Sequence, residues 1–174
     1  MQHIRIAKEL SGSILDLGGG GEGIVGRVYG AQVMAIDIRS EELEEAPSGS
    51  RKMVMDACAL TFCEATFDNV TAFYFFMYLD KARHKEAIRE AYRVLKPGGQ
   101  MIIWDTEIDA AWPEPFITEL QVDADGTPVQ VTYGVGKDNA SQNADWLEGL
   151  LIAAGFQKHS RVESQGHFQL CFAK

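Results

Sequence analysis

The feature that most constrains the fold is a cluster of glycines directly after a short apolar segment. Residues 13–17 (SILDL) form the apolar run, and five of the next six residues are glycine. Gly18, Gly20 and Gly23 match the pattern GxGxxG, which is informative where a buried strand turns straight into a helix. Glycine lets the backbone turn sharply and lets a ligand approach without a Cβ in the way. The segment therefore predicts a strand, a ligand-binding turn and a helix over 23–29.

Further apolar runs alternate with helical stretches along the chain. Uninterrupted apolar strands between helices are typical of a parallel sheet covered by helices on both faces, and right-handed crossovers make such a sheet doubly wound. Pro97-Gly98-Gly99 is expected to end the longest helix. The predicted strands are 13–17, 32–36, 52–55, 69–75 and 101–104, and the predicted helices are 23–29, 41–46 and 81–95.

The last third of the chain has a different pattern. Residues 116–122 and 127–133 alternate between apolar and polar around Asp125-Gly126, which predicts a β-hairpin inserted within 115–137. A helix is predicted over 144–154, capped by Gly155. Strands over 156–163 and 167–172 should pair antiparallel, because the turn between them is too short for a crossover.

Length and composition limit the class of protein. The 174 residues, 46% of them hydrophobic and 24% charged, suit one soluble domain covering 1–174. No apolar run is long enough to span a membrane, and the charged N-terminal segment does not resemble a signal peptide. A cytoplasmic protein with no membrane partner is therefore expected.

Charge and potential metal ligands narrow the partners. The net charge is -9, and no cluster of Lys and Arg is present to neutralise phosphates, which disfavours a nucleic-acid partner. The three cysteines are an odd number without CxxC spacing, which indicates reduced thiols. The four histidines lack metal-ligand spacing, so no metal is predicted.

Two aspartates follow predicted strands. Asp37 lies about 20 residues after Gly18, the separation expected for a carboxylate that binds a ribose. A dinucleotide and S-adenosylmethionine both present such a ribose, so Asp37 alone does not distinguish them. Asp56 ends the next strand at the same sheet edge and could read an adenine amino group, which favours a mononucleoside ligand; the alternative is that Asp56 caps a turn.

On these residues the sequence resembles the class I S-adenosylmethionine-dependent methyltransferases, particularly those with a domain of the ubiquinone/menaquinone-biosynthesis type. The resemblance implies a Rossmann-like, seven-stranded sheet whose last strand is antiparallel, with S-adenosylmethionine as cofactor and S-adenosylhomocysteine as product. It rests on the order of six motifs: 14–20 (ILDLGGG), 34–38 (MAIDI), 55–62 (MDACALTF), 67–70 (FDNV), 92–99 (YRVLKPGG) and 150–156 (LLIAAGF). The cofactor-binding residues that it implies are Asp16, Gly18, Gly19, Gly20, Asp37, Ile38, Asp56, Ala57, Ala72 and Phe73.

The acceptor side carries aromatic residues in place of a polar nucleophile-binding motif. The segment 73–78 (FYFFMY) favours a small, partly apolar acceptor. The resemblance puts Met77 and Tyr78 near the transferred methyl group, and Asp105 and Glu107 follow the fifth strand at the same edge. Tyr78, His84, Asp105 and Glu107 are the candidate bases, with His84 expected on an exposed helix turn.

No catalytic residue is assigned, because methyl transfer from a sulfonium mainly needs alignment of the reacting atoms. A base is needed only if the nucleophile is protonated.

Three departures from the family pattern leave alternatives open. The glycine loop carries an extra residue, with Glu22 before Gly23, and only about a dozen residues precede the first predicted strand. The inserted hairpin could form a substrate wall, a homodimer contact or a decoration.

The predicted function is methyl transfer to a small molecule. The alternatives are a non-catalytic S-adenosylmethionine-binding sensor or subunit, and an NAD-dependent oxidoreductase, which would leave Asp56 unexplained.

Overall fold

The computed structural model describes residues 2–109, 115–136 and 141–174. In these ranges, ten strands and four α-helices follow one another, with single 3₁₀ turns at Gly30–Gln32 and Phe76–Tyr78. The strands are β1 (Gln2–Ile6), β2 (Ile14–Leu17), β3 (Val33–Asp37), β4 (Arg51–Val54), β5 (Phe67–Phe73), β6 (Leu95–Thr106), β7 (Phe116–Ala124), β8 (Thr127–Val135), β9 (Gln157–Ser164) and β10 (His167–Ala173). The helices are α1 (Ile24–Tyr29), α2 (Ser40–Glu45), α3 (Lys81–Val94) and α4 (Ala144–Ala154).

A seven-stranded sheet in the order β4-β3-β2-β5-β6-β10-β9 forms the centre of the domain. β10 pairs antiparallel with both of its neighbours, and the other pairs are parallel. The predicted doubly wound, mostly parallel sheet with an antiparallel last strand is confirmed. Since the carboxyl ends of β2, β3, β5 and β6 meet at one edge, that edge is where a ligand crevice is expected.

One face of this sheet is covered by α3 and α4. The Asp80 side chain caps α3 by accepting the Arg83 N–H at 2.9 Å, and Asn143 caps α4 by accepting the Trp146 N–H at 2.8 Å. Such caps satisfy N–H groups that the first helical turn leaves unpaired. Both helices bury their apolar sides on the strands, and α4 ends at Gly155 with φ 107°, as predicted.

The other face is covered by α1 and by a second sheet that the sequence interpretation described incompletely. The predicted hairpin is present as β7 and β8. However, β1 adds to it as a parallel third strand, giving the order β1-β7-β8. The alternation in Gln2–Ile6 is a period-2 signal that the prediction overlooked. Ile6, Leu120 and Val131 lie in one buried cluster with Phe73 and Trp104. The second sheet therefore packs directly on this face of the main sheet.

Two strand boundaries differ from the predictions in a way that shapes the site. β6 begins at Leu95, so 97–99 form the start of the strand and not only the end of the helix. β5 ends at Phe73, and Tyr74 turns out of the strand with φ 52°. The backbone N–H of Tyr74 still donates to the Trp104 carbonyl at 2.7 Å. The chain therefore leaves β5 at Tyr74 while staying hydrogen-bonded to the end of β6. In the described part of the chain, no helix is both long enough and apolar enough to cross a membrane.

Candidate cofactor and acceptor site

The glycine loop lies between two other segments at the carboxyl edge of the sheet. Gly18 has φ 68°, and a Cβ at this position would lie 2.5 Å from Cδ2 of Phe75, which follows β5. A Cβ on Gly20 would lie 2.5 Å from Cβ of Glu42 on α2. No side chain fits at either position without displacing its neighbours. These glycines are thus required by the close approach of protein segments as well as by any ligand.

Asp16 is buried beneath this loop, at the end of β2. Thr71 on the neighbouring strand β5 donates a hydrogen bond from Oγ1 to Asp16 Oδ1 at 2.7 Å. The Asp16 Oδ2 atom lies only 2.6 Å from where a Cβ of Gly19 would be. Burial raises the pKa of Asp16 to about 7, the Thr71 hydrogen bond lowers it, and the nearby Asp37 charge raises it. The acid therefore titrates near neutral pH directly under the predicted cofactor loop.

Asp37 lies beside the glycine loop, and the next residue, Ile38, is exposed. Asp37 Oδ1 accepts the backbone N–H of Arg39 at 3.0 Å, and Oδ2 lies 2.9 Å from the position of a Cβ on Gly20. The carboxylate is thus beside the glycine loop. The side chain of Ile38 is 62% exposed. A carboxylate that can accept ribose hydroxyls next to exposed apolar surface fits an adenosyl group.

Asp56 follows β4 and is already partnered. Its Oδ1 accepts hydrogen bonds from Arg83 Nη2 at 2.7 Å and from the Cys58 N–H at 2.9 Å. The capping role that was the alternative for Asp56 is therefore present in the structure. An adenine amino group would meet a carboxylate that also pairs with Arg83. The next residue, Ala57, was also predicted to bind the cofactor, and it is only 6% exposed.

Two residues predicted to contact the cofactor are packed inside the protein. Ala72 has no exposed surface and belongs to the core beneath α3 and α4. The Phe73 ring points to the opposite face, where it lies 6.0 Å from the Trp104 ring and 6.2 Å from the Tyr133 ring. Neighbouring strand residues point to opposite faces of a sheet, so both side chains are in the core. That Ala72 and Phe73 lie beside the cofactor stays a prediction.

The predicted acceptor residues separate into buried and accessible ones. The side chain of Met77 is fully buried, and that Met77 lies near the transferred methyl group stays a prediction. Tyr78 is 45% exposed, and burial of much of its ring raises its pKa while a hydrogen bond from the Gly134 backbone to its side chain lowers it. Glu107 is exposed at the end of β6. Tyr78 and Glu107 therefore remain candidates.

Asp105 is a structural residue in this site. It is completely buried, and its two oxygens accept four N–H groups. Oδ2 accepts from Phe76 at 2.9 Å and Met77 at 3.3 Å, and Oδ1 from Thr106 at 2.8 Å and from the Gln142 side chain at 2.6 Å. Burial raises the pKa of Asp105 to about 7, although these hydrogen bonds lower it. With its oxygens bonded inside the protein, Asp105 does not fit the predicted role of contacting an acceptor.

His84 is buried, which corrects the expectation of an exposed helix turn. Its Nε2 lies 2.8 Å from the Phe76 carbonyl oxygen, and its Nδ1 accepts the Trp146 indole N–H at 3.0 Å. Burial lowers the pKa of His84. A neutral ring with its proton on Nε2 satisfies both contacts, so His84 holds α3, α4 and the segment after β5 together.

A cavity of about 650 Å³ opens beside the end of β6. Gln142 is part of its wall, and its Oε1 atom is buried without a hydrogen-bond partner. The remaining wall comes from the starts of α3 and α4 and the segment after β6: Lys81, Glu107, Ile108, Asp109, Ser141, Asn143, Asp145 and Trp146.

Among the described residues, no group of three or more His, Cys, Asp or Glu side chains could hold a metal ion.

Several contacts that build the site were not anticipated from the sequence. Thr71, Phe75, Tyr133 and Gln142 were not singled out, yet each contacts a predicted site residue or its immediate neighbours. Only Phe75 carried a local signal, because it lies in the aromatic segment after β5. The others reach the site through pairing between strands and segments that are distant in sequence.

Comparisons with known proteins agree with this fold and site. The family described as "Methyltransferase domain" matches residues 15–103, just over half of the 174 residues. The matched region contains the glycine loop, Asp37, Asp56 and the aromatic segment after β5. The chain therefore belongs to this methyltransferase-domain family, and the resemblance seen in the sequence is confirmed.

Two curated relatives support the same family. The chain is 29% identical over 157 residues to a 2-phytyl-1,4-beta-naphthoquinone methyltransferase from Arabidopsis thaliana, covering 79% of this chain and 59% of the relative. It is 36% identical over 105 residues to a ubiquinone/menaquinone biosynthesis C-methyltransferase from Desulfotalea psychrophila, covering 55% of this chain and 42% of the relative. The chain thus spans about half the length of these relatives.

The fold is also similar to that of solved structures. An S-adenosylmethionine-dependent methyltransferase from Mesorhizobium loti superposes with a TM-score of 0.68 at 17% identity, covering 95% of this chain and 93% of the other. This similarity confirms the Rossmann-like methyltransferase fold.

Proposed function

We propose that this domain binds S-adenosylmethionine and transfers its methyl group to a small, partly apolar acceptor. The observation that carries the proposal is the arrangement at the carboxyl edge of the sheet. There the Asp37 carboxylate adjoins the glycine loop and is followed in the chain by the exposed Ile38 side chain, in a member of the methyltransferase-domain family.

The residues at this edge fit the parts of the cofactor. Asp37 would accept the ribose hydroxyls, Ile38 would pack on the adenine, and Asp56 would read the adenine amino group with whatever acceptor capacity Arg83 leaves it. The backbone of Gly18–Gly20, above Asp16, would hold the amino-acid end. When bound, S-adenosylmethionine supplies a methyl group on a sulfonium sulfur that leaves as the neutral thioether S-adenosylhomocysteine.

The chain's own contribution to such a reaction is alignment. The segment after β5 is fixed by Asp105 through the Phe76 and Met77 N–H groups, so Phe75, which lies against Gly18, and Tyr78 have defined positions. Alignment of the reacting atoms supplies much of the rate enhancement when the transferred group is already activated. Tyr78 and Glu107 are the predicted bases that remain accessible, should the acceptor carry a proton.

The nature of the acceptor is supported by the site and by the relatives. Aromatic side chains dominate the segment after β5. One curated relative is named a naphthoquinone methyltransferase, and another a ubiquinone/menaquinone biosynthesis C-methyltransferase. We therefore expect a small aromatic or otherwise partly apolar acceptor. A cytoplasmic location and a homodimer through the 115–137 hairpin stay predictions, and size-exclusion chromatography with light scattering tests the second.

A second function has one specific observation in its favour. Two of the four candidate bases, His84 and Asp105, are buried and hydrogen-bonded within the protein. A domain that binds S-adenosylmethionine without turnover, as a sensor or subunit, would need neither. Binding without methyl transfer to any acceptor in a broad small-molecule screen would favour this alternative.

Thermal unfolding with S-adenosylmethionine, S-adenosylhomocysteine and NADH in parallel tests the cofactor. A ligand at about 100 times its Kd stabilises the folded state by about 2.7 kcal/mol, which raises the Tm by several degrees in a domain of this size. We expect a shift with the two adenosyl sulfur compounds and none with NADH. A shift with NADH alone would replace the proposal with the oxidoreductase alternative.

A further inference from the structure

Side chains of α3 hold the segment that follows β4. Residues 55–66, between β4 and β5, contain no helix of their own. Glu90 accepts the Leu60 N–H at 2.8 Å, and Arg93 donates to the Leu60 carbonyl oxygen at 2.9 Å. The path of this segment is therefore set by α3, and a third contact of the same kind is made where the segment begins.

That third contact is made by Arg83, in the first turn of α3. The backbone N–H of Arg83 donates to the capping Asp80 side chain, which fixes the start of the helix. The guanidinium reaches Asp56, with 2.7 Å between Nη2 and Oδ1. The Nε atom of Arg83 is buried without a hydrogen-bond partner. A buried donor left unpaired costs stability, and such local departures from stability are expected at functional sites.

The two oxygens of Asp56 are used unequally. Oδ1 accepts hydrogen bonds from both Arg83 Nη2 and the Cys58 N–H, whereas none of the described residues donates to Oδ2. The Asp56 side chain is 35% exposed. Because two donors hold Oδ1, a tilt of the carboxylate would break one of these bonds. Oδ2 is therefore held in one orientation with its lone pairs available to a ligand.

Asp56 lies next to the strand end that carries Asp37. The Met55 N–H donates to the Asp37 carbonyl oxygen at 2.9 Å, at the end of the pairing between β3 and β4. Asp56 is the next residue, and its own carbonyl oxygen accepts the Ala59 N–H at 3.0 Å in the turn that follows. The backbone is thus fixed on both sides of Asp56, at the edge where the adenosyl group is proposed to bind.

We propose that Arg83 is a positioning residue for recognition of the purine base, and that it acts through Asp56. By holding Oδ1, Arg83 presents Oδ2 to a donor at the 6-position of the purine and keeps the carboxylate from turning toward another donor. The site therefore selects a 6-aminopurine nucleoside over a 6-oxopurine, which carries an acceptor at C6 and a proton on the neighbouring N1. This inference rests on the proposed function, because it assumes that an adenosyl group occupies the carboxyl edge.

The experiment is calorimetric titration with S-adenosylhomocysteine and with S-inosylhomocysteine, its 6-oxopurine analogue. The ratio of the two Kd values is compared between proteins, because a smaller folded fraction leaves that ratio unchanged. A hydrogen bond to a charged acceptor discriminates by about tenfold or more, so the wild-type domain should prefer S-adenosylhomocysteine by at least about tenfold.

Three variants test how Arg83 acts. In Arg83→Gln the preference should fall by about threefold or more, because the freed carboxylate can turn to accept the N1 proton of the 6-oxopurine. Adding Arg83→Gln to Asp56→Asn should change the preference no further than Asp56→Asn alone, since Arg83 acts through the carboxylate. Arg89→Gln removes a charge from the exposed side of the same helix and is the matched control, which should keep the wild-type preference.

The outcomes separate the two proposals. If the wild-type domain binds neither compound, cofactor binding fails and the proposed function falls with it. If it binds S-adenosylhomocysteine without any preference, or if Arg83→Gln keeps the wild-type preference, cofactor binding stands and the role of Arg83 is overturned. Should Arg83→Gln not fold, Arg83→Lys decides, because an ammonium keeps the charge without the planar fork of a guanidinium. A reduced preference in Arg83→Lys supports the positioning role, and an unchanged one overturns it.

Discussion

The carboxylate of Asp105 accepts a hydrogen bond from the backbone N–H of Phe76 across 2.9 Å. This contact joins the end of β6 to the segment that follows β5, two segments that meet only in the folded protein. A residue that looks like a general base in the sequence is therefore a support for the acceptor side of the site. Because four N–H groups point at the Asp105 carboxylate, a side chain that donates hydrogen bonds would face other donors at this position.

Asp105→Asn is expected to destabilise the domain. The amide would replace one oxygen, which now accepts two N–H groups, with an NH₂ group that only donates, leaving buried groups unsatisfied at a cost of about 2–3 kcal/mol in the free energy of unfolding. Urea unfolding measures the loss. Asp125→Asn, in the exposed β7–β8 turn, is the control and should change little, since Asn tolerates the φ of 50° found there. A common urea midpoint for the two variants would show that the Asp105 contacts contribute nothing.

Asp16→Asn is expected to change the pH dependence of cofactor binding. Because Asp16 has its pKa raised to about 7, it becomes charged in the free protein only as the pH rises through neutrality. The anion attracts the cationic cofactor, so the Kd for S-adenosylmethionine should fall between about pH 6 and pH 8 and level off above. In Asp16→Asn this part of the pH dependence should disappear. Calorimetric titration across that range, wild type against variant, measures it, and parallel pH profiles would refute the role of Asp16.

Asp37→Ala is expected to weaken cofactor binding more than tenfold. Ribose hydroxyls would lose a charged acceptor, which contributes about 1.5–3 kcal/mol. Asp37→Asn separates this effect from loop damage, because the amide oxygen can still accept the Arg39 N–H. Glu44→Ala, an exposed acidic residue on α2, controls for net charge. Isothermal titration with S-adenosylhomocysteine gives the three Kd values, and an unchanged Kd in Asp37→Ala would remove Asp37 from the site.

Ile6→Ala is expected to destabilise the domain through the second sheet. Ile6 is 1% exposed in the cluster beneath that sheet, and truncating a buried isoleucine costs about 2–5 kcal/mol. Ile117→Ala on the neighbouring strand β7 is the matched control, since Ile117 is 56% exposed and should cost less than about 0.5 kcal/mol. Chemical unfolding measures the free energy of unfolding of both variants. Similar losses would mean that β1 does not pack as described.

Much of the main sheet could be predicted from the chain alone. The apolar runs, the glycines after Leu17 and the turn at 164–166 are local patterns, and local periodicity is what a sequence displays directly. Asp37 could be placed at the ligand edge because it ends a strand next to the glycine loop in a parallel sheet. Asp16 and Ile38 came from the family resemblance, and the structure buries Asp16 under the glycine loop and leaves Ile38 exposed.

Only the tertiary structure decided which side chains are accessible to a ligand. Ala72, Phe73, Met77 and Asp105 lie at the predicted edge, but their exposure depends on which face of the sheet each one points to and on what covers that face. The cover itself, formed by β1, β7 and β8, comes from parts of the chain that are remote from one another. Burial and hydrogen-bond partners are set by such long-range packing, so Tyr133 meets Phe73 for a reason that no local pattern contains.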